Sequence, residues 1–352
     1  MQGRSLLIRA DGSPTLGMGH ISRCVALAQI FAGHEIAVYF ACQAARPEVR
    51  AVIDSAGFQV VDIDAPPHDA HGEALAIAKL VTQHDVQWLV IDHPEFTIEQ
   101  EKLIQKNCSS KTIIIDGQFS NHQCDVLINP NAFATIENCR DTVPPKCQVL
   151  AGYQYFMLHD NYLQNTVLTR HRQEEVDDRC RILITLGGSD PDNCTLKICQ
   201  TLAIANFGNH KPVFDVVVGI ANRHRPSIID FLQSVDSDQF VVHDAPDDLV
   251  ELLQVCTLCV SAGGITLGEA AYLGKPIIGV AILENQHRTI DALSNIGALQ
   301  KAGISDIASQ CKKLLDNLEQ RQKLSLRASA LVDGLGKQRI ANCIWNNSVR
   351  EG

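Results

Sequence analysis

The chain has 352 residues, of which 45% are hydrophobic and 20% charged, and its formal net charge is -10. This size and composition predict a globular protein of two domains, and the negative charge argues against a general nucleic-acid-binding function. No apolar run approaches the roughly 20 residues needed to span a bilayer, and residues 1–4 lead straight into a strand, not a signal peptide. We therefore expect a cytoplasmic protein that binds a small molecule and does not insert into membranes.

Strand and helix patterns alternate through the first half of the chain. Strands are predicted near residues 5–10, 35–41, 58–62, 87–91, 112–116 and 125–128. Helices are predicted near residues 20–33, 45–56, 71–83 and 97–107. This alternation is typical of a parallel sheet covered on both faces by helices. The first domain is expected to span residues 1–160, and the polar stretch 161–179 is interpreted as an interdomain linker.

A second alternating series begins at Arg181. Its predicted strands lie near residues 182–186, 212–218, 239–243, 257–261 and 276–280. Its predicted helices lie near residues 192–206, 223–234, 246–254 and 265–273. The second domain is expected to span residues 180–303, followed by a helical tail over 304–352. The fold class is therefore α/β, with two Rossmann-like parallel-sheet domains facing a cleft. Neither half carries a Gly-x-Gly-x-x-Gly sequence with an acidic residue about 20 positions on, which argues against a dinucleotide cofactor.

The chain contains 13 scattered cysteines, without a double pair typical of a metal site. Cys256 and Cys259 form one Cys-x-x-Cys sequence, but Cys259 lies in a predicted strand. Buried, reduced thiols are favoured over a metal or redox site, which indicates a reducing compartment. Short Asp-x-Asp sequences occur at 62–64, 190–192 and 236–238, but so short a pattern recurs by chance, and no metal site is expected.

The loop after the first predicted strand carries two glycines and one histidine. Gly17 and Gly19 let the backbone come close to a ligand. His20 opens the following helix and is the only side chain of the loop that can take a proton near neutral pH. Because open α/β sheets bind ligands at the carboxyl ends of their strands, His20 is a candidate general base. The alternative is a first-turn helix residue without a catalytic task.

Three strand ends of the second half also carry glycine: Gly187-Gly188-Ser189, Gly219 and Gly263-Gly264. The last pair opens a helix, so its free backbone amides and positive helix end suit a pyrophosphate. Thr266 could add a hydroxyl, and Glu269, about one turn further on, suits a ribose diol. The alternatives are that the glycines only form tight turns and that Glu269 is a solvated helix residue.

Together these motifs resemble a known family. The second half is similar to the nucleotide-binding half of the GT-B superfamily. Over roughly residues 5–300 the chain resembles the UDP-sugar hydrolases of pseudaminic acid biosynthesis, which act on UDP-2,4-diacetamido-2,4,6-trideoxy-β-L-altropyranose. The resemblance is carried by Ile8-Arg9-Ala10-Asp11, Gly17-x-Gly19-His20-x-x-Arg23, Ile91-Asp92-His93, Ile128-Asn129-x-Asn131, Leu186-Gly187-Gly188-Ser189-Asp190, Ser261-Ala262-Gly263-Gly264-x-Thr266-Leu267-x-Glu269 and Glu284-Asn285-Gln286.

The resemblance implies a GT-B fold and a metal-independent, cofactor-free hydrolysis, in which water attacks the anomeric carbon and UDP leaves. The implied catalytic residues are His20 as general base, Asp11 and His93, although His93 could instead simply cap a strand end. The implied substrate-binding residues are Gly17, Gly19, Arg23, Asn131, Asn285 and Gln286. The implied nucleotide-binding residues are Gly187, Gly188, Ser189, Gly219, Gly263, Gly264, Thr266 and Glu269.

Pro94 departs from the family pattern, which usually has an aromatic residue, most often tyrosine, at this position. Proline supplies neither a ring face nor a hydroxyl, so the sugar is held differently or the substrate is a different one. Two other functions therefore compete with hydrolysis. One is an inverting GT-B glycosyltransferase that uses a UDP-sugar donor, and the other is a nucleotide-sugar-binding protein without catalysis.

Overall fold

The structure is a computed structural model that describes residues 5–13, 16–32, 36–169, 180–235, 238–246 and 248–349. The chain divides into two compact units. Unit 1 comprises Met1–His159 and Gly334–Gly352, and unit 2 comprises Asp160–Asp333. No helix of the described ranges is long and apolar enough to cross a membrane. All 13 cysteines are free thiols, and 11 of them are buried.

Unit 1 is built on a seven-stranded parallel sheet. Its strands are β1 Ser5–Ala10, β2 Ala37–Cys42, β3 Gln59–Asp62, β4 Trp88–Asp92, β5 Lys111–Ile115, β6 Val126–Asn129 and β7 Gln148–Ala151. Their spatial order is β3-β2-β1-β4-β5-β6-β7. Every residue of β1 and β4 is buried, as expected for central strands covered on both faces.

The helices between these strands start at recognisable caps. They are α1 Gly19–Ala32, α2 Pro47–Ser55, α3 Ala70–Gln83, α4 Ile98–Asn107 and α5 Ile136–Arg140. Pro47 opens α2, where its missing N–H costs nothing, and the side chain of Asp69 accepts the Gly72 amide at the start of α3. Thr97 and Gln100 form a capping box at the start of α4.

Unit 2 repeats the plan with a six-stranded parallel sheet. Its strands are β8 Arg181–Thr185, β9 Val213–Val218, β10 Phe240–Asp244, β11 Leu258–Ala262, β12 Ile277–Val280 and β13 Gln300–Lys301. Their order is β10-β9-β8-β11-β12-β13. The helices are α6 Asp160–Thr169, α7 Cys194–Ala203, α8 Arg225–Ser234, α9 Val250–Val255, α10 Ile265–Tyr272, α11 His287–Asn295, α12 Ile307–Leu315 and α13 Leu318–Ser329.

Each sheet has one position where the direction of winding reverses. In unit 1 it lies between β1 and β4, whose register pairs Ala10 with Asp92. In unit 2 it lies between β8 and β11, whose register pairs Thr185 with Ser261. Because the loops leaving two such strands turn to opposite faces, a crevice opens at their carboxyl ends, and ligands bind there. The fold therefore marks one candidate site in each unit.

The predicted strands and helices are present, with bounds that differ by up to about four residues. Residues 33, 35 and 247, which fell within predicted elements, lie outside the described residues. The sequence patterns missed five elements, namely α5, β7, α11 and β13, together with α6, most of whose residues were interpreted as linker.

The sequence analysis predicted a separate linker and a separate helical tail, whereas the structure assigns the described residues of both to the two units. The stretch 161–179 begins inside α6, which belongs to unit 2, while its residues 170–179 lie outside the described residues. The tail is divided, because α12 and α13 belong to unit 2 whereas the last helix, α14 Gly336–Val349, belongs to unit 1. There Trp345 packs edge-on against Phe31 of α1, with ring centroids 6.1 Å apart. A Cβ at Gly336 would lie 2.1 Å from the Phe156 carbonyl oxygen, so only glycine fits this close approach.

Candidate functional site

A histidine–aspartate pair lies at the reversal point of the unit 1 sheet. His20 is the second residue of α1, and its Nδ1 lies 2.7 Å from Oδ1 of Asp92, the last residue of β4. Asp92 is fully buried, whereas 22% of the His20 side chain is exposed. A carboxylate partner favours the tautomer protonated on Nδ1, which leaves the lone pair on Nε2. The pair can therefore accept a proton at Nε2 from a group at the carboxyl ends of the strands.

Arg23, one turn further along α1, binds the same carboxylate. Its Nε donates to Asp92 Oδ2 and its Nη2 to Oδ1, both at 2.5 Å. Burial alone would raise the pKa of Asp92, but the charges of Arg23 and His20 and their hydrogen bonds hold that pKa well below its ordinary value. Asp92 is therefore ionised at neutral pH. With two nitrogens committed to Asp92, Arg23 is placed to hold this carboxylate.

Asp11 belongs to a second, neighbouring cluster around a buried arginine. Arg9 of β1 lies 2.7 Å from Asp11 Oδ2 through Nη1 and 2.6 Å from Glu73 Oε1 through Nη2. The other Asp11 oxygen accepts the Gln43 amide at 2.9 Å. His93 Nε2 lies 3.6 Å from Asp11 Oδ2. Burial, and then the positive charge of Arg9, lower the pKa of His93 to about 4, so this ring is neutral at pH 7.

The loop between β1 and α1 is folded back on itself. Gly17 donates its amide to the Ser13 carbonyl oxygen at 2.7 Å, and its φ of +76° is one that favours glycine. Gly19 is the first residue of α1. Residues 14 and 15 lie outside the described residues.

Asn131 and Pro94 follow other strands of the same sheet. Asn131 comes after β6, two strands away from β4, and donates its amide to Asn129 Oδ1 at 2.8 Å. A Cβ at Gly117 would lie 2.5 Å from Asn131 Nδ2, so the chain approaches this amide closely. Pro94 lines a small cavity together with His93, and the cavity presents no aromatic hydroxyl at this position.

In unit 2 the glycine loops that follow β8 and β9 touch each other. A Cβ at Gly219 would lie 2.5 Å from Gly188 Cα, which no ordinary side chain could tolerate. Gly188 also accepts the Ala221 amide at 3.0 Å. Gly187 has a φ of +89°. The structure thus brings together two of the three predicted glycine strand ends.

The loops after β11 and β12 meet in the same way. A Cβ at Gly263 would lie 2.6 Å from Gln286 Cβ. The side-chain oxygen of Gln286 accepts the Ile282 amide at 3.0 Å, so this amide group is partly committed to its own loop. Asn285 is exposed.

The two glycine-flanked helices of unit 2 differ at their first turns. Asp190 accepts the amides of Cys194 and Thr195, each at 2.8 Å, and so caps α7. At α10 the cap position is Gly264, which is exposed, and no side chain of the described residues caps this helix. Thr266 in its first turn is partly exposed, as is Ser189 near α7. The amides of α10 therefore remain available for an anionic ligand.

Glu269 is buried in α10, 8% exposed, which excludes a solvated helix residue. Burial raises its pKa to about 7, while a hydrogen bond from Tyr162 of α6 acts in the opposite direction. Sequence reasoning missed both Tyr162 and Asp92 as site residues. Asp92 carried a signal, since it ends a fully apolar strand within a recognised motif, whereas Tyr162 lay in a stretch interpreted as a linker.

Comparisons with known proteins were made for sequence and for structure. No family model matches the chain. It is 24% identical over 294 residues to the UDP-2,4-diacetamido-2,4,6-trideoxy-beta-L-altropyranose hydrolase of Campylobacter jejuni, covering 83% of this chain and 97% of the relative. It is 23% identical over 343 residues to the spore coat polysaccharide biosynthesis protein SpsG of Bacillus subtilis, covering 95% of each.

Among solved structures, the UDP-GlcNAc 2-epimerase from Neisseria meningitidis bound to UDP-GlcNAc matches with a TM-score of 0.67 at 14% identity, over 97% of this chain and 100% of that one. The two doubly wound units therefore define a protein of the GT-B fold type, as predicted. Within that class the chain resembles the hydrolases of UDP-linked diacetamido-trideoxyhexoses, and the two curated relatives confirm the resemblance predicted from its motifs.

Proposed function

We propose that this protein hydrolyses a UDP-linked diacetamido-trideoxyhexose at the anomeric C–O bond, without a metal ion, and releases UDP and the free sugar for nonulosonic acid biosynthesis. The observation that carries the proposal is the His20–Asp92 pair, a partly exposed imidazole oriented by a buried, ionised carboxylate. The named activity of the C. jejuni relative supports the choice of reaction.

The nucleotide half of the proposal rests on unit 2. A departing pyrophosphate gains negative charge, and the free amides and positive end of α10 can stabilise that charge. Glycines let the loops after β8 and β9 approach each other and let the loop after β11 approach the loop after β12, and Gly264 at the start of α10 has open space beside it. The UDP-GlcNAc bound by the N. meningitidis structure supports a UDP-sugar as the ligand.

In this proposal His20 of unit 1 transfers the proton with the support of Asp92. Nε2 of His20 removes a proton from water as the water oxygen bonds to the anomeric carbon, and the C–O bond to UDP breaks. The carboxylate of Asp92 then stabilises the imidazolium that forms. Arg23 keeps Asp92 ionised and oriented, which gives Arg23 a positioning role in this scheme instead of direct contact with the sugar.

The test is turnover of a panel of UDP-diacetamido-trideoxyhexoses by the purified protein, with no acceptor added. Release of UDP together with free reducing sugar is the expected result. Turnover only when an acceptor sugar or lipid is supplied would replace hydrolysis with glycosyl transfer. Binding of the panel without any turnover would favour a nucleotide-sugar-binding protein, and both outcomes would contradict the proposal.

A further inference from the structure

Two phenylalanines, here called the ring pair, meet on neighbouring loops at the carboxyl edge of the unit 1 sheet. Phe119 lies on the loop after β5 and Phe133 on the loop after β6. Their ring centroids are 5.7 Å apart at an interplanar angle of 52°, and both residues are partly exposed. Because open α/β sheets bind their ligands at this edge, a partly exposed pair of rings here is a candidate apolar contact surface for a ligand.

The backbone of Phe119 is held in a conformation that phenylalanine rarely adopts. Its φ is +61°, in the left-handed region that disfavours a bulky side chain. Asp116 fixes the backbone on both sides of Phe119, because its Oδ1 accepts the Gln118 amide and its Oδ2 the Ser120 amide, each at 2.8 Å. Such strain persists only where the surrounding structure enforces it, and it clusters at ligand sites. The structure therefore imposes the position of this ring against its local preference.

Asp116 is itself anchored by a buried ionic cluster. His122 Nε2 lies 3.2 Å from Asp116 Oδ2, and His122 Nδ1 lies 2.7 Å from Glu101 Oε1. The other Glu101 oxygen accepts the Gln123 amide at 2.6 Å. His122 is 6% exposed and Glu101 1%, and burying such groups costs free energy. The loop that carries Phe119 is therefore held at both of its ends by groups that are costly to bury.

The loops of the ring pair also border residues that the sequence analysis linked to the sugar. A Cβ at Gly117 would lie 2.5 Å from Asn131 Nδ2, so the loops after β5 and β6 touch at the predicted substrate-binding amide. Ser120, at the other end of the first loop, lines the same small cavity as His93 and Pro94. The ring pair therefore belongs to the part of the edge where Pro94 stands in place of an aromatic residue.

We propose that Phe119 and Phe133 are specificity-determining residues, whose rings contact the C6 methyl group of the sugar in place of an aromatic side chain at position 94. This assignment rests on the proposed function, since it needs a diacetamido-trideoxyhexose as the sugar. Among the substituents of such a sugar ring, the C6 methyl is the one without a polar atom. A pair of rings buries a methyl group favourably but gives a hydroxyl no hydrogen-bond partner, so the site should select against a sugar with a hydroxyl at C6.

The experiment compares two UDP-sugars that differ only at C6. One is the UDP-diacetamido-trideoxyhexose that wild type binds most tightly, and the other is its counterpart with a C6 hydroxyl. For each, kcat/KM is measured from UDP release and affinity by calorimetry. Wild type is expected to prefer the 6-methyl sugar about tenfold to hundredfold in both measurements, as for an apolar site that meets an added hydroxyl.

Four variants test the rings. Phe133→Ala removes one ring, and Phe119→Gly removes the other with a residue that suits the left-handed backbone. Each should reduce the preference to about threefold or less, because water can then reach the hydroxyl. Phe133→Tyr keeps the ring and should keep the preference. Phe231→Ala is the matched control, since Phe231 is a partly buried phenylalanine of α8 in unit 2, and it should also keep the preference.

The ratio between the two sugars separates specificity from a general structural effect, which would weaken both sugars equally. A wild-type ratio in Phe133→Ala and Phe119→Gly, or no preference in wild type, would overturn the role of the ring pair. Should Phe119→Gly fail to fold, the ratio in Phe133→Ala decides alone. Binding of both sugars without turnover would contradict the proposed hydrolysis, and the ratio of affinities would still decide the role of the ring pair. Absence of binding of either sugar would contradict both proposals.

Discussion

Replacing Asp92 with asparagine tests the unit 1 site by changing a single atom. Asp92 Oδ1 accepts from His20 Nδ1 and Arg23 Nη2, and Oδ2 accepts from Arg23 Nε. Either orientation of an asparagine amide points its NH2 group at one of these donors. Facing His20, it favours the tautomer protonated on Nε2, which cannot accept a proton from water. We expect turnover to fall about 10⁴-fold, in line with the effect of the same change in the carboxylate–histidine pair of a serine protease.

The same substitution also removes a buried negative charge beside Arg23. Removing one partner of a buried ion pair costs about 3–5 kcal/mol. Because the Arg23 side chain is 21% exposed, and water can partly solvate it, we expect the lower end, about 3 kcal/mol. The pKa of Asp92 is depressed in the folded state, so its stabilisation is present above the ordinary aspartate pKa and is lost as the pH falls towards the folded value. The difference between wild type and Asp92→Asn should therefore shrink below about pH 4.

Urea unfolding and acceptor-free UDP release measure the two effects separately. Asp62→Asn is the matched control, because Asp62 is 60% exposed and pairs with Arg50 at the surface. The Asp62→Asn substitution should lower the free energy of unfolding by less than about 1 kcal/mol and leave turnover unchanged. A folded Asp92→Asn protein that retains turnover within about threefold of wild type would refute the assigned role of the carboxylate.

Three further predictions concern other residues. His20→Ala should lower turnover about 10²–10⁴-fold while UDP affinity is retained, and wild-type turnover in this variant would exclude His20 as the base. Gly219→Ala places a Cβ 2.5 Å from Gly188 and should weaken UDP binding about tenfold or more by calorimetry, whereas Gly303→Ala, which meets only flexible side chains, should not. Burial would lower the pKa of His122, but the carboxylates of Asp116 and Glu101 raise it to about 9. The protonated ring should therefore add about 3 kcal/mol to the free energy of unfolding, in full below about pH 6.5, and this stabilisation should be lost as the pH rises through 9. Urea unfolding of wild type and His122→Gln across this pH range measures the effect. A constant difference in the free energy of unfolding between the two proteins would contradict the prediction.

The strands that could be predicted from the sequence are those buried on both faces. β1, β8 and β11 each contain a run of three apolar residues, at 6–8, 182–184 and 258–260, because helices cover the sheet on both sides. The short β7 and the two-residue β13 lie at sheet edges, where their position depends on the strand beside them. The return of α14 to unit 1 rests on contacts such as Trp345 on Phe31, between residues more than 300 positions apart, which no local pattern reveals.

In the candidate site, too, the residues with a local sequence signal were predicted, and those whose role depends on distant contacts were not. The glycines of unit 2 were identifiable because they closely follow predicted strands, and His20 because its loop joins the first predicted strand to a predicted helix. Strand ends share one edge of a parallel sheet. The partner of His20 was not identifiable, because Asp92 reaches it only through the adjacency of β1 and β4, which strand order determines. Tyr162 was missed because a polar helix start at the beginning of a unit has the composition of a linker.

Hydrolysis in water labelled with heavy oxygen tests the central claim most directly. The protein is incubated with the UDP-diacetamido-trideoxyhexose that it turns over, and the masses of both products are measured by mass spectrometry. Attack at the anomeric carbon predicts one labelled oxygen in the free sugar and none in UDP. Label in UDP would place the attack at phosphorus and contradict the assignment of His20 and α10.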